Sequence, residues 1–360
     1  MAKEGDTQFT FPGPTRETVV LDWTGLTALA PPVDCHVHLA LDGVDFAAAR
    51  RRWDTPGEIT SQVQNALQDT LRHGILAVRD GGDRAGIALR FRNLVTGGAM
   101  AGPVVRAAGF ALRKPGKYGS FLGRGITAGE LDSALDNLVR HGVNQVKVIV
   151  SGVVSFTDYG RVGALQYTAG ELATLVKGAH NRGLPVMAHA SSDAAVAMAV
   201  RAGVDTVEHG YFLTRNTLEL MAEKGIAWVP TVIPVAAQLH NRAGNGTDLA
   251  QPYVIEKTVD RQLAMINEAV ALGVTLGVGT DAGAAGVRHG YGYLEEMALY
   301  RQAGLSPAQI LQCATVNGAR ILGLDWGRIE PGRPAALIAL KGDPLQEIDA
   351  LRNVQYVIVP

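Results

Sequence analysis

Val33-Asp34-Cys35-His36-Val37-His38 is an apolar strand pattern that closes on His-x-His. Side chains two apart on a β-strand share a face, so His36 and His38 present two imidazoles to one point while Val37 turns away. Two imidazoles are half of a metal site. The alternative is a pair of packed or surface histidines, and the choice rests on what stands at the ends of later strands. Seven further runs read as strands, over 74–80, 103–109, 144–150, 184–190, 204–209, 226–231 and 274–280. Helical patterns lie between and after them, near 58–73, 84–98, 129–141, 168–182, 192–203, 214–224, 252–272 and 289–304, and Gly closes most of them. Eight strands, each followed by a helix, predict an α/β fold, a (β/α)8 TIM barrel over 33–304, with catalytic groups at the C-terminal strand ends.

Outward from the barrel, a helix is expected over 306–322, opened by Ser306-Pro307. Segments 18–22, 27–30, 332–340 and 353–359 read as short strands that pair in a small, reduced β-layer. The expected domains are therefore 1–32 with 323–360 as that layer, and 33–322 as the barrel with its C-terminal helix. The 360 residues are 47% hydrophobic and carry a net charge of −1 with both signs interspersed, which argues against nucleic acid or a membrane surface as partner. Neither a signal-peptide core nor a membrane-spanning run is visible, so a cytoplasmic enzyme is expected, a homo-oligomer acting on a small molecule. Cys35 and Cys313 are not expected to pair there.

Taken in order, the strand ends carry His36 and His38 on the first, Lys147 in the fourth, His189 on the fifth, His209 on the sixth and Asp281 just past the eighth. A barrel brings all six to one mouth although they span most of the chain.

These residues sit in VDCHVHL, VKVIVSG, PVMAHAS, GVDTVEHG and GVGTDAG, accompanied by GILAVRDGG, AGLSPAQILQCATVNGARILGL and GRIEPGRPAALIAL. Together the motifs resemble the amidohydrolase superfamily, in its imidazolonepropionase-like and metal-dependent dipeptidase branch. The resemblance implies a binuclear centre, usually zinc: His36, His38 and Asp281 would hold the more buried metal, His189 and His209 the outer one, and Lys147, carbamylated by CO2, would bridge the two divalent ions. An ammonium cannot ligate a cation, but a carbamate formed from the neutral amine offers two anionic oxygens, so modification and metal binding are coupled. Imidazolonepropionases generally use one metal and no such lysine, and Lys147 points away from that activity. The implied reaction is attack by a hydroxide bridging the metals, with Asp281 taking its proton and delivering it to the leaving nitrogen, and His189 or His209 orienting the substrate.

The loop ALRKPGKYGSFLGRG after the third strand holds Arg113, Lys114, Lys117 and Arg124 without an acid, beside Tyr118 and Phe121. It suits an anionic substrate group, the alternative being a solvated basic loop. The Gly-Gly-His-Gly common near this point in related dipeptidases is absent. Tyr211 is a candidate donor to a carbonyl, and His289 a candidate to line the mouth. His73, His141 and His180 read as helix-end contacts. Asp80 reads either as a partner of a ligand histidine or as an ion pair with Arg79 or Arg84. Gly277 to Ala282 fits a dinucleotide pattern formally, yet its aspartate explains it better.

The sequence reading is thus a metal-dependent hydrolase that cleaves a C–N amide bond, linear or cyclic, of a small anionic molecule. Lactone, ester or organophosphate hydrolysis, deamination, and a non-enzymatic scaffold are the competing functions. A scaffold is expected to lose ligands, and all six candidates are present.

Overall fold

The computed structural model describes residues 8–10, 21–240, 250–330 and 333–359. Its strands are β1 (Gln8–Thr10), β2 (Thr27–Leu29), β3 (Val33–Val37), β4 (Ala77–Asp80), β5 (Val104–Ala107), β6 (Val146–Ile149), β7 (Val186–Ser192), β8 (Thr206–Phe212), β9 (Ala227–Val229), β10 (Leu337–Leu340) and β11 (Val354–Ile358). Two parallel arcs, β3-β4-β5 and β6-β7-β8-β9, make the barrel wall. Val-rich runs buried on both faces suit parallel strands covered by helices.

Backbone bonds rather than full ladders complete the ring. Leu112 N donates to Lys147 O at 2.7 Å and Leu112 O accepts from Ile149 N at 3.0 Å, joining the arcs on one side. On the other side, segment 274–282 runs between β9 and β3: Trp228 N donates to Thr275 O at 2.9 Å, Cys35 N to Val278 O at 2.8 Å and Asp281 N to His36 O at 2.7 Å. The expected eighth strand is thus a series of single bridges. Gly277 and Gly279 explain this, since glycine weakens a strand but admits close neighbours. A Cβ on Gly279 would lie 2.4 Å from Val229 Cγ1 and 3.0 Å from His36 N.

Helices follow the strands as expected, with shifts at their ends. Thr168 and Glu171 form a capping box on Ala169–His180, and Ser192 caps Asp193–Ala202. Gly203 (φ 84°) and Gly225 (φ 67°) stop Asp193–Ala202 and Arg215–Lys224 in the left-handed region. A short helix, Phe46–Arg52, capped by Asp45, was not foreseen, because its single turns carry no long apolar period. The helix expected over 306–322 breaks into Pro307–Gln312, a π-turn at Cys313–Asn317 and Gly318–Ile321. Helix Tyr291–Gln302 is anchored to the barrel by two buried phenols, Tyr293 to Val33 O at 3.0 Å and Tyr300 to Gly277 O at 2.8 Å.

A separate four-stranded sheet, ordered β1-β11-β10-β2, forms the small β-layer. Of the strand expected over 18–22, residues 18–20 lie outside the described residues and 21–22 are irregular, while β1 was not expected. Cys35 and Cys313 are free, buried thiols. Among the described residues no helix is long and apolar enough to cross a membrane.

Candidate active site

His36 lies in β3 and His38 just past its end, and the strand's register is broken between Asp34 and Val37. Such an irregularity re-aims side chains, and here both rings turn toward the barrel axis with centroids 5.4 Å apart. Asp34 fixes the start of the turn, accepting from His36 N at 3.2 Å and from Thr280 N and Oγ1 at 3.0 and 2.7 Å. His189 and His209 come from β7 and β8, with centroids 4.5 Å apart, and His209 stands 5.0 Å from His36.

Three non-glycine residues of the described chain have positive φ: His209 (70°), Thr231 (50°) and Asp281 (53°). Thr231 and Asp281 follow the ends of strand segments, and His209 lies within β8. Strained backbone of this kind persists where surrounding structure holds it. Around His209 that hold is explicit, since its carbonyl accepts from Trp228 Nε1 at 3.0 Å and from the buried Gln262 Nε2 at 2.9 Å.

Each imidazole has one nitrogen engaged by the protein. His36 Nδ1 pairs with Glu208 Oε2 at 2.8 Å, His38 Nδ1 faces Gly82 O at 3.3 Å, and His209 Nδ1 meets Thr231 Oγ1 at 2.7 Å. The Nε2 atoms of these three rings are left toward the centre. His189 is reversed, with Nε2 3.4 Å from Gly152 O, which leaves Nδ1. Asp281 Oδ1 lies 3.5 Å from His36 Nε2 and 3.3 Å from His38 Nε2, and Lys147 Nζ lies 3.4 Å from His36 Nε2. Ligand atoms of His36, His209 and Asp281 fall within 4.8 Å of one another.

Electrostatics match the geometry. Burial holds His36 and His209 far below the usual imidazole range and lowers His189 to about 4, with the Lys147 charge adding to the effect on each. These rings are therefore neutral lone-pair donors. Burial opposes charge on His38 and Asp281 too, yet contact with Asp281 raises His38, and His36 followed by His38 lowers Asp281. Lys147 is buried and pushed down to about 8 by desolvation, against the pull of Glu208 and Asp281. Four imidazoles and one carboxylate, set around a lysine that burial brings down to about 8, form a donor set that fits divalent cations.

This floor opens into a cavity of about 900 Å³. His38, Lys147, His189, His209 and Asp281 line its base, and Lys117, Tyr118 and Tyr211 line its wall. Two other candidates do not reach it. Arg113 is buried, its guanidinium bound to the carbonyls of Gly123, Lys114 and Lys117 at 2.7, 3.0 and 3.0 Å, so it braces the loop. His289 is buried behind the wall with Nε2 3.0 Å from Leu41 O. Asp80 bonds neither a histidine nor an arginine; it accepts from Leu39 N and Gly82 N at 2.8 and 2.7 Å, bracing the chain on both sides of His38. His73 and His141 bond helix-end carbonyls as expected, whereas His180 pairs with Asp205.

Sequence reasoning missed the polar network under the site. Arg79 Nη2 lies 2.8 Å from Glu208 Oε1, and Arg79 also donates to Cys35 O at 2.7 Å and Thr206 Oγ1 at 3.0 Å. Its signal was present: Arg79 and Glu208 are charges inside apolar strand runs, where a residue must find a partner.

A parallel barrel with this floor at the C-terminal mouth of its strands defines the protein as a TIM-barrel hydrolase. The chain belongs to the Amidohydrolase family, whose pattern matches residues 28–359. It is similar to the ochratoxinase of Aspergillus niger, with 26% identity over 356 residues covering 90% of this chain and 72% of that enzyme. Among solved structures it is similar to a Xaa-Pro dipeptidase with bound methionine in its active site (27% identity, TM-score 0.80, covering 93% of this chain and 86% of that one). It is also similar to a prolidase complexed with N-methylphosphonate-L-proline (25% identity, TM-score 0.80, 96% and 89% covered).

Proposed function

We propose that this hydrolase cleaves the C–N amide bond of a small, anionic substrate at a binuclear metal centre. The observation that carries the reading is the convergence of His36, His38, His189, His209 and Asp281 around the buried amine of Lys147. The ochratoxinase and dipeptidase likeness supports an amide as the scissile bond.

His36, His38 and Asp281 would hold one cation and His189 and His209 the other. A carbamate formed from the neutral Lys147 amine and CO2 would serve both. Two divalent cations, zinc by the family's habit, would activate water at neutral pH and polarise the scissile carbonyl. The protein supplies the rest. Glu208 and Thr231 fix the His36 and His209 rings so that only one nitrogen of each faces inward. Asp281 keeps 17% of its side chain exposed, toward the cavity, so its carboxylate can take a proton from the attacking water and return it to the leaving nitrogen. The Tyr118 and Tyr211 phenols stand beside His189 and His209, with ring centroids 5.7 and 5.6 Å away, and burial keeps both protonated as donors to a developing oxyanion.

The test is a screen of the zinc-loaded protein against N-acyl amino acids, dipeptides, hydantoins, lactones and aminated heterocycles. Turnover of the first three supports the reading. Activity confined to lactones makes the protein an esterase, and ammonia release from the heterocycles makes it a deaminase.

A further inference from the structure

The cations around the cavity mouth are not equivalent once their partners are counted. Lys114 is paired with Glu171, and Arg124 with Glu130 at 3.3 Å. Arg113 is bound to three carbonyls of its own loop. On the same helix as Arg50, Arg52 is paired with Asp42 at 2.6 Å and lines a different pocket. Two cations remain on the cavity wall without a carboxylate or carbonyl among the described residues: Lys117 and Arg50. Arg50 was not singled out from sequence, being one of three consecutive arginines in a short helix.

Both are held in place. The Arg50 guanidinium lies over Phe46 and Trp53, 5.9 and 5.5 Å from the ring centroids, with its buried Nε unpartnered. Phe46 in turn meets Phe121 edge-on at 5.1 Å, joining this helix to the loop that carries Lys117. At Lys117 the backbone is pinned on both sides, its carbonyl by Arg113 Nη1 at 3.0 Å and the next one, of Tyr118, by Gln166 Nε2 at 3.1 Å. Asp45 shares the wall, but its Oδ1 caps the helix through Ala48 N at 2.9 Å. Phe46, Phe121, Val153, Phe156 and Val235 line the same cavity and give it apolar surface.

We infer that Arg50 and Lys117 form an anion-recognition side of the cavity, which takes a carboxylate of the substrate while the Phe46, Phe121 and Phe156 wall takes an aromatic or bulky apolar body. A guanidinium already stacked binds a carboxylate with little ordering still to be done, and the braced loop fixes where the Lys117 ammonium can reach. The inference rests on the amide-hydrolase reading for the bond that is cut, but only on the wall for the carboxylate.

The probes are N-acetyl-L-phenylalanine and its neutral carboxamide, titrated calorimetrically into the native protein, Arg50→Gln, Lys117→Gln and the double variant. The native protein should favour the acid by about ten-fold or more. Each single variant should shrink that preference, and the double variant should abolish it, with Arg50→Lys retaining part. Equal binding of the two probes, binding of neither, or an undiminished preference in the double variant overturns the inference. Hydrolysis is read separately with zinc-loaded protein. Retained preference for the acid without cleavage of any amide overturns the hydrolase reading alone, and cleavage of acid and neutral amides at the same kcat/KM overturns the inference alone.

Discussion

Glu208 Oε2 lies 2.8 Å from His36 Nδ1 in an interior where both side chains are wholly buried, and its other oxygen lies 2.8 Å from Arg79. One carboxylate thus orients a candidate metal ligand and neutralises a buried guanidinium. Glu208→Gln should weaken zinc binding about 10–100-fold, because the amide neither fixes the His36 ring as firmly nor raises its basicity. Glu208→Ala leaves Arg79 buried and unpaired and should cost about 3–5 kcal/mol. Chelator-competition titration reads the first and urea unfolding the second; unchanged zinc affinity in Glu208→Gln contradicts the positioning role.

Thr231 does the same for His209 through a single hydroxyl, 2.7 Å from Nδ1. Thr231→Val keeps the volume and removes the acceptor, leaving a buried N–H without a partner at a cost of about 1–3 kcal/mol. Metal affinity should fall with it, while Thr231→Ser should remain near native in both measurements. Equal behaviour of Val and Ser rules the hydroxyl out as the cause.

Gly81 is where the histidine pair is most exposed to sterics. A Cβ there would lie 2.7 Å from His38 Cε1 and 3.4 Å from His36 Nε2. Gly81→Ala should displace His38 and lower metal occupancy with only a small change in the melting temperature of the metal-free protein. Full occupancy in that variant shows that the rings have room to shift.

Asp281 occupies left-handed backbone at φ 53°, a conformation asparagine also tolerates, so Asp281→Asn should fold. Its amide cannot take a proton from water, and kcat should fall by about 10²–10⁴ on any amide the native protein cleaves. Near-native turnover removes Asp281 from the proton path.

Much of this was legible in the chain. Alternation in 33–38 and Gly-stopped helices foretold the barrel, and the residue types at strand ends foretold which side chains meet. The missing part is relational. Nothing local shows that segment 274–282 pairs only at points, since that follows from how closely Gly279 must approach His36. In the basic loop Arg113 and Lys117 read as the substrate-binding pair, and the sequence could not show Arg113 bound to backbone carbonyls or Lys114 and Arg124 engaged by acids outside the loop. Arg50 was hidden for the opposite reason, as only the fold shows which of three adjacent arginines lines the cavity.

In the proposed centre, Lys147 joins the two metal sites. Metal analysis of protein produced with zinc and bicarbonate, joined to the intact mass or electron density of Lys147, tests it most directly. About two metals per chain and a carbamylated Lys147 are expected, with Lys147→Ala losing at least one metal. A single metal beside an unmodified lysine contradicts it.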